Sequence, residues 1–218
     1  SGIITIPVGC LVGGLVAGFP IMMILKNLVP IVLVAALIIL GLWLIPDGMI
    51  KGFTVFGQGV VIVAIFGLVL GALQLLVGVT VIEGITPIEE GIEVVGGIAL
   101  TLAGAFSLVY VVTKVFNKPL LKLGKLLGMN EVAAAGMVAT LANNIPMLQM
   151  MKDMDARGKI INVAFAVSAS FVLGDHLGFT AGVAKDMIFP MIAGKLVGGV
   201  TAVLVALFVA NKMVKDKA

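Results

Sequence analysis

The chain has 218 residues, of which 61% are hydrophobic and only 11% are charged, and its mean hydropathy is +1.26. Soluble domains are about half apolar and about a quarter charged, so this composition indicates a membrane protein. The apolar runs are continuous rather than alternating, which excludes an outer-membrane barrel. The net charge of +3 does not indicate nucleic-acid binding, because the lysines lie at the ends of the runs. The single cysteine, Cys10, excludes an internal disulfide and a cysteine-based zinc site.

Apolar runs of roughly 20 residues predict transmembrane helices. Taken in chain order, six spans cover residues 3–19, 28–45, 55–77, 92–116, 160–177 and 187–211. Small residues four apart favour close helix contacts in membranes. Four such pairs are present: Gly9/Gly13, Gly14/Gly18, Gly67/Gly71 and Gly194/Gly198. We therefore predict an all-α, multi-pass membrane protein in which residues 1–218 form a single transmembrane domain.

The first residues are apolar from the start and lack the charged segment of a signal peptide. We expect residue 1 to lie inside a longer protein, with further helices on its N-terminal side. These helices would then be partners of the chain within one transporter.

The links between spans differ in charge. The charged residues of the link after the third span are all acidic, and those of the link after the fourth span are all lysines. The C-terminal tail is also rich in lysine. Because lysines mark cytoplasmic segments, residues 117–128 and the C-terminus are predicted to be cytoplasmic, and the acidic link to face outward. The acidic residues are Glu83, Glu89, Glu90 and Glu93, and the lysines are Lys114, Lys118, Lys122, Lys125, Lys212, Lys215 and Lys217.

Residues 118–130, "KPLLKLGKLLGMN", alternate lysines with leucines at helical spacing. This pattern predicts an amphipathic helix that lies in the membrane interface. Residues 45–53, "IPDGMIKGF", resemble a shorter counterpart, but the similarity is too weak to define a sequence repeat. Internal repeats are common in transporters, and we expect the chain to be part of a larger transporter fold that contains them.

A seventh apolar stretch, 131–151, contains the motif "TLANNIPML". Pro146 lacks an N–H and disfavours helical backbone at Ile145, and the two preceding asparagines can bond the freed backbone groups. If this stretch returned to the side it entered from, the C-terminal lysines would be cytoplasmic. The lysine bias therefore favours a re-entrant helical hairpin with its tip at 143–146, lining a cavity. The alternative is a proline-kinked span.

Residues 168–182, "SASFVLGDHLGFTAG", place Asp175 and His176 next to an apolar run. Ionisable groups within a membrane are costly and mark functional sites. Asp175 is a candidate counter-ion or proton carrier, and His176 titrates near neutrality if unperturbed. The alternative is that both residues cap the wetted end of the fifth span. One histidine with one aspartate makes a poor metal site, so no metal and no cofactor are expected.

Lys195 lies some nine residues into the last predicted span, which is deep for a lysine that snorkels to the interface. It would either pair with Asp175 or line the cavity. Thr140 and Ser168 flank the two unusual stretches and are candidate lining residues. The charged stretch 152–158, "KDMDARG", is interpreted as a solvated turn. No nucleophile–base pair or phosphate loop is recognisable, so an enzyme is not predicted.

The two unusual stretches also carry a family resemblance. The blocks "ATLANNIPM", "VLGDHLGF" and "MIFPMIAGKLVGGVTA" resemble the C-terminal half of the ethanolamine-utilisation transport protein family, EutH type. "SGIITIPVGCLVGGLVAG" and "LVPIVLVAALIILGLWLIP" resemble its middle portion. The resemblance covers nearly the whole chain. It implies a multi-pass protein of the bacterial inner membrane that facilitates ethanolamine entry, in a family whose members are longer at the N-terminus.

The resemblance carries no residue-level site, so the site prediction comes from the residues. Ethanolamine is mostly a cation at neutral pH, because a simple amine has a pKa near ~10. Asp175 would hold its ammonium, and Asn143 and Asn144 would bond its hydroxyl. Two alternatives stay open: an ion-coupled carrier of another small polar solute, and a structural subunit of a membrane complex. Besides substrate and lipid bilayer, a homo-oligomer is a possible partner.

Overall fold

The computed structural model describes residues 2–84 and 86–215, and within them the chain is all-α, without strands. The two long-range features that position the site are a reversal of the chain within 131–155 and a close contact between the first and last helices. The α-helices of the described residues are α1 (Gly2–Val16), α2 (Ile21–Leu44), α3 (Pro46–Val77), α4 (Ile88–Leu126), α5 (Glu131–Ala142), α6 (Asn144–Met150), α7 (Ala156–Ala169), α8 (Asp175–Val183) and α9 (Ile188–Lys215). Short 3₁₀ turns occupy Met151–Asp153 and Lys185–Met187.

Three helical segments of the described residues are long and apolar enough to cross a membrane, which makes this chain a membrane protein. They are Ile21–Leu44, Pro46–Val77 and Lys185–Asn211. Two further apolar helices, α1 and α5, are shorter than a full span. The total of six spans stays a prediction.

Helix α4 joins two segments that the sequence separated. The predicted fourth span, 92–116, and most of the predicted interfacial helix, 118–130, belong to one continuous helix that ends at Leu126. Residues 118–126 are thus helical, as predicted, but they do not form a separate helix. Pro119 lies inside α4 without ending it. The position of this segment at a membrane interface stays a prediction.

The chain reverses direction across α5 and α6. At the start of α5, the side chain of Asn130 accepts a hydrogen bond from the Ala133 N–H (2.9 Å) and so caps the helix. The same residue bonds the far end of the segment: its side-chain amide donates to the Asp153 carbonyl (2.9 Å), and its N–H donates to the Asp155 carboxylate (3.0 Å). Met147 on α6 packs near Gly136 on α5. The segment therefore leaves and returns to one end of the molecule.

The core of the molecule lies where α5, α6, α7 and α9 meet. Helix α7 runs parallel to α5. Asn162, midway along α7, donates to the Ala133 carbonyl near the start of α5 (2.9 Å), and the N–H of Phe171, just beyond α7, donates to the Thr140 carbonyl near the end of α5. Helix α9 returns antiparallel to α7. The largest apolar members of this core include Met147, Ile161 and Phe165, with small alanines between the helices: Ala133, Ala134, Ala164, Ala169, Ala202 and Ala206.

Helices α1 and α9 touch through their backbones. A Cβ on Gly9 would lie 2.6 Å from the Gly194 carbonyl oxygen, and one on Gly194 would lie 2.7 Å from that of Gly9, so neither position has room for a larger residue. Gly13 faces α9 and Gly198 faces α1 in the same contact. The close-contact prediction is confirmed for these two pairs. It stays a prediction for Gly67, where an added Cβ would meet no atom of the described chain within 4 Å, and it is wrong for Gly18, which lies in a turn with φ of 79°.

Candidate functional site

Two helix breaks lie side by side at one level of the molecule. The first separates α5 from α6 at Asn143, and the second separates α7 from α8 over residues 170–174. Backbone hydrogen bonds join them: the N–H of Phe171 donates to the Thr140 carbonyl (3.0 Å), and that of Leu173 donates to the Leu141 carbonyl (2.8 Å). These bonds satisfy carbonyls that the end of α5 would otherwise leave free. The two stretches that stand out in the sequence are therefore in direct contact.

The contact depends on a residue without a side chain. Gly174 lies against the carbonyl oxygen of Ala142, and a Cβ at this position would overlap that oxygen. Because the obstacle is backbone, a rotamer change cannot relieve it. Phe171 has φ of 60°, a conformation that costs a bulky residue on the order of 1–3 kcal/mol and is maintained only where neighbouring structure enforces it. We define the crossing of the breaks as residues 140–144 and 170–174.

The structure corrects the prediction of a single fifth span over 160–177. This stretch is divided by the break, and Asp175 begins α8 instead of ending the preceding helix. Asp175 and His176 lie at the start of α8 and are exposed, and the alternative that both only cap a wetted end of the fifth span stays open. Asp175 lies in the first turn of α8, where an acidic residue interacts favourably with the helix dipole.

The asparagines of the first break have different surroundings. The Asn143 side chain accepts a hydrogen bond from the Ile145 N–H (2.8 Å) and caps α6. Pro146 falls in the first turn of α6, where a missing N–H costs nothing. The side-chain oxygen of Asn144 and the hydroxyl of Thr140 are buried and have no hydrogen-bond partner in the described part of the chain. Thr140 as a whole is 0% exposed. Unpaired buried oxygens are rare and require an explanation.

Asp175 and His176 are exposed at the surface of the described chain, next to the crossing. The His176 ring lies 5.5 Å from the Phe171 ring, centroid to centroid.

Lys195 lines a cavity of about 480 Å³ between α1 and α9, and so does Ser168. No ion pair within 4 Å joins Lys195 to Asp175. This cavity contains no residue of the hairpin 131–151, so the prediction that Lys195 lines a cavity shared with the hairpin stays a prediction. The Ser168 hydroxyl lies 3.2 Å from that of Thr5, which in turn donates to the Gly2 carbonyl. Ser168 therefore also connects α7 to α1.

One residue with a clear structural role was missed in the sequence. Arg157 lies in the stretch interpreted as a solvated turn, but its guanidinium donates to the Leu127 carbonyl (2.6 Å) and to the Asn211 side chain (2.6 Å). It connects the ends of α4 and α9 to the start of α7. These ends therefore lie together, and the membrane side on which residues 117–128 and the C-terminus lie stays a prediction. A lone arginine at the start of an apolar helix was the available signal.

Comparison with known proteins addresses the family. The family described as "Ethanolamine utilisation protein, EutH" matches residues 1–209. The chain belongs to the EutH family. Over 215 residues it is 79% identical to a protein named probable ethanolamine permease EutH from Listeria monocytogenes. This alignment covers 99% of the chain and 58% of that protein. The family resemblance found in the sequence is thereby confirmed.

More distant EutH relatives give the same coverage. The chain is 49% identical to the probable ethanolamine permease EutH of Escherichia coli, over 97% of this chain and 58% of that protein. It is 53% identical to the uncharacterized protein YxeR of Bacillus subtilis, over 94% of this chain and 55% of that protein. The chain thus spans less than two thirds of the length of these relatives. No solved structure matches it.

Proposed function

We propose that the chain forms part of a multi-pass permease of the bacterial inner membrane that moves ethanolamine, and that the crossing of the breaks is its substrate site. The observation that carries this proposal is that two of the three unpartnered buried side-chain oxygens of the described residues, Thr140 Oγ1 and Asn144 Oδ1, lie in the crossing; the third, Asn162 Oδ1, lies in the core. Many transporters bind substrate near mid-membrane where interrupted helices meet, because free backbone and polar groups are available there. The names of the relatives support ethanolamine as the substrate.

The substrate has two groups to recognise, an ammonium and a hydroxyl. Asp175 supplies the negative charge for the ammonium, and His176 lies beside it. The hydroxyl donates to the buried oxygen of Asn144, and Thr140 offers a second acceptor; Asn143 shapes the site through its cap of α6. Lys195 and Ser168 belong to the adjoining cavity. In this proposal the hairpin α5–α6 is re-entrant, and residues outside this chain complete the path, since the relatives are longer.

The first test is uptake of labelled ethanolamine into proteoliposomes at mildly acidic pH, where little neutral amine leaks through lipid. We expect saturable uptake by the full protein. Replacing Asp175 with Asn is expected to raise KM by about 10- to 100-fold, because a charge-assisted hydrogen bond is lost. The matched control is Asp186→Asn, which removes an exposed carboxylate on the 3₁₀ turn before α9. Unchanged affinity in Asp175→Asn would refute its role as counter-ion.

The second test separates the hydroxyl contact from the ammonium contact. Ethylamine lacks the hydroxyl, and ethylene glycol lacks the ammonium. If Asn144 binds the hydroxyl, Asn144→Ala reduces the inhibition of labelled uptake by unlabelled ethanolamine but leaves the inhibition by ethylamine unchanged. The two amines then inhibit uptake to a similar extent. Equal losses for both amines would remove Asn144 from hydroxyl recognition. If an unrelated polar solute competes more strongly than ethanolamine, the protein is a carrier of that solute. If the protein shows no uptake and tolerates apolar replacements in the site, it is a structural subunit.

A further inference from the structure

Phe171, in the second break, carries a bulky ring on a backbone that suits glycine. Among the described residues it is the one residue other than glycine with a positive φ, at 60°. Glycine adopts this left-handed conformation without a steric clash, and asparagine does so more readily than other residues, whereas a bulky side chain is strained there. The backbone of the break therefore favours glycine at this position, but the chain has a phenylalanine.

Hydrogen bonds on both sides fix the backbone of Phe171. Its N–H donates to the Thr140 carbonyl (3.0 Å), and its carbonyl accepts from the N–H groups of Gly174 (3.0 Å) and His176 (3.2 Å). The first bond joins the two breaks, and the other two position the first turn of α8, which contains Asp175. All three bonds involve main-chain atoms of Phe171, so a glycine in the same conformation would form them as well. The ring is not needed for them.

Packing in the core does not account for the ring either. The core cluster of the described residues contains Phe165 but not Phe171, and Phe171 is not among the partly buried side chains that pack against this cluster. Phe171 is only partly buried. Its ring lies beside the imidazole of His176, with the centroids 5.5 Å apart and the planes inclined by 60°. The ring therefore lies outside the core, next to the first turn of α8.

An aromatic ring in this place can bind a cation. The face of the ring attracts an ammonium group because the ring quadrupole makes that face negative, and the attraction increases where water is excluded. Asp175, the proposed counter-ion of the substrate, lies on the turn that Phe171 positions. A carboxylate supplies the full negative charge, and a ring face replaces part of the hydration shell of the ammonium without adding a second charge.

We propose that the ring of Phe171 binds the ammonium group of the substrate through its face, and that it thereby makes the site selective for small cationic amines. This inference rests on the proposed function. In this arrangement Asp175 and Phe171 contact the ammonium, and Asn144 contacts the hydroxyl. The two ends of ethanolamine are then recognised by residues from different breaks.

The test replaces Phe171 in the full protein with singly, doubly and triply fluorinated phenylalanine. Fluorine withdraws electron density from the ring face but changes the size of the side chain little. We expect the KM of labelled ethanolamine uptake into proteoliposomes to rise with each fluorine, by about 2- to 30-fold for the most substituted ring, while kcat changes little. A ring that acts only by packing would not raise KM in this series, because fluorine does not reduce its apolar surface.

Substitutions locate the effect at the ring face of Phe171. Phe171→Leu keeps an apolar side chain without the face, and it is expected to weaken inhibition of uptake by ethanolamine and by ethylamine by the same factor, since both carry the ammonium. Phe171→Tyr retains the face and is expected to keep KM within about twofold. The matched control is Phe179→Leu on α8, where the side chain is 57% exposed, and it is expected to behave like the unmodified protein. A loss in Phe171→Leu that is confined to ethanolamine would overturn the inference.

Phe171→Gly removes the ring and the strain together. We expect its unfolding temperature in detergent to be equal to or higher than that of the unmodified protein, with KM raised as in Phe171→Leu. A marked fall in unfolding temperature would mean that packing of the ring maintains the break, and it would contradict the inference.

A constant KM across the fluorinated series would overturn the inference and leave the proposed function intact, and this result does not depend on a variant of altered shape. Absence of saturable uptake by the unmodified protein would overturn the proposed function itself, and the role of Phe171 with it.

Discussion

Two regions of the molecule are built in different ways. The region of α1 and α5–α9 is held by buried alanines, glycine contacts between backbones and hydrogen bonds between helices. The α2–α3 pair exposes most of its apolar side chains, with Leu37 68%, Val63 71% and Phe66 60% exposed. Because lipid is as apolar as leucine, exposed apolar surface carries no penalty in a bilayer. Stability here therefore comes from packing, and the candidate site lies in the packed region.

The largest expected effect on stability comes from comparing the same substitution, isoleucine to alanine, in the two regions. Ile161 is 0% exposed in the core, and Ile62 on α3 is 67% exposed. Ile161→Ala should destabilise the protein by about 2–5 kcal/mol through the cavity that it leaves. Ile62→Ala should cost less than about 0.5 kcal/mol. Unfolding of each variant in mixed micelles with increasing denaturing detergent measures both values. Similar losses at the two positions would mean that α3 is packed against a partner.

The next effect tests the crossing of the breaks. Gly174→Ala places a methyl group on the Ala142 carbonyl, so the two breaks must separate. We expect a destabilisation near the upper end of about 1–3 kcal/mol and loss of substrate uptake. Gly67→Ala on α3 is the matched control, because no atom of the described chain lies within 4 Å of the added carbon. A fully active Gly174→Ala variant would show that the crossing is dispensable.

A moderate effect is expected at the end of the packed region. Arg157→Gln removes the guanidinium that connects α7 to the ends of α4 and α9. Its loss should destabilise the protein by about 1.5 kcal/mol, since hydrogen bonds from a charged group are involved. Lys152→Gln removes an exposed cation nearby and should be neutral. The midpoint of thermal unfolding in detergent compares the two, and equal midpoints would contradict the role assigned to Arg157.

The smallest effect concerns the cap of a short helix. Asn143→Ala removes the side chain that accepts from Ile145, at an expected cost of about 1 kcal/mol. Asn143→Asp should retain most of the stability, because its carboxylate can accept the same hydrogen bond. Amide hydrogen exchange over residues 144–150 would detect the change, as faster exchange confined to α6. Unaltered exchange in Asn143→Ala would show that packing of Met147 alone maintains the helix.

The sequence predicted the helices and the first break because both depend on local signals. Apolar runs located α2, α3 and α9, and Pro146 with its two asparagines located the end of α5. The second break was missed as a break, since residues 170–174 contain no proline and Phe171 favours no turn. Its conformation is imposed by hydrogen bonds to residues 140 and 141, about thirty positions earlier in the chain. Long-range backbone contacts of this kind leave no local pattern.

The candidate site residues also divide into those with a local sequence signal and those whose contacts depend on distant residues. Polar residues in apolar surroundings identified Thr140, Asn144, Asp175 and Lys195, and the structure places them around the crossing and its neighbouring cavity. The pairing of Lys195 with Asp175 was open in the sequence, because it depends on how α8 and α9 are oriented. Arg157 was misinterpreted for the same reason. Its partners lie at the end of α4 and on α9, and no residue near Arg157 in the sequence indicates these contacts. Their roles in binding remain proposals.

The contact between α1 and the C-terminal half has a consequence for biosynthesis. The hydroxyls of Thr5 and Ser168 meet although 163 positions separate them in the chain. A ribosome adds about 5–20 residues per second, so α1 waits roughly 10–30 s before α7 is made. Gly9 and Gly13 wait longer still, because their partner α9 follows α7 in the chain. Of the helices described here, the first to be synthesised is thus among the last to be packed.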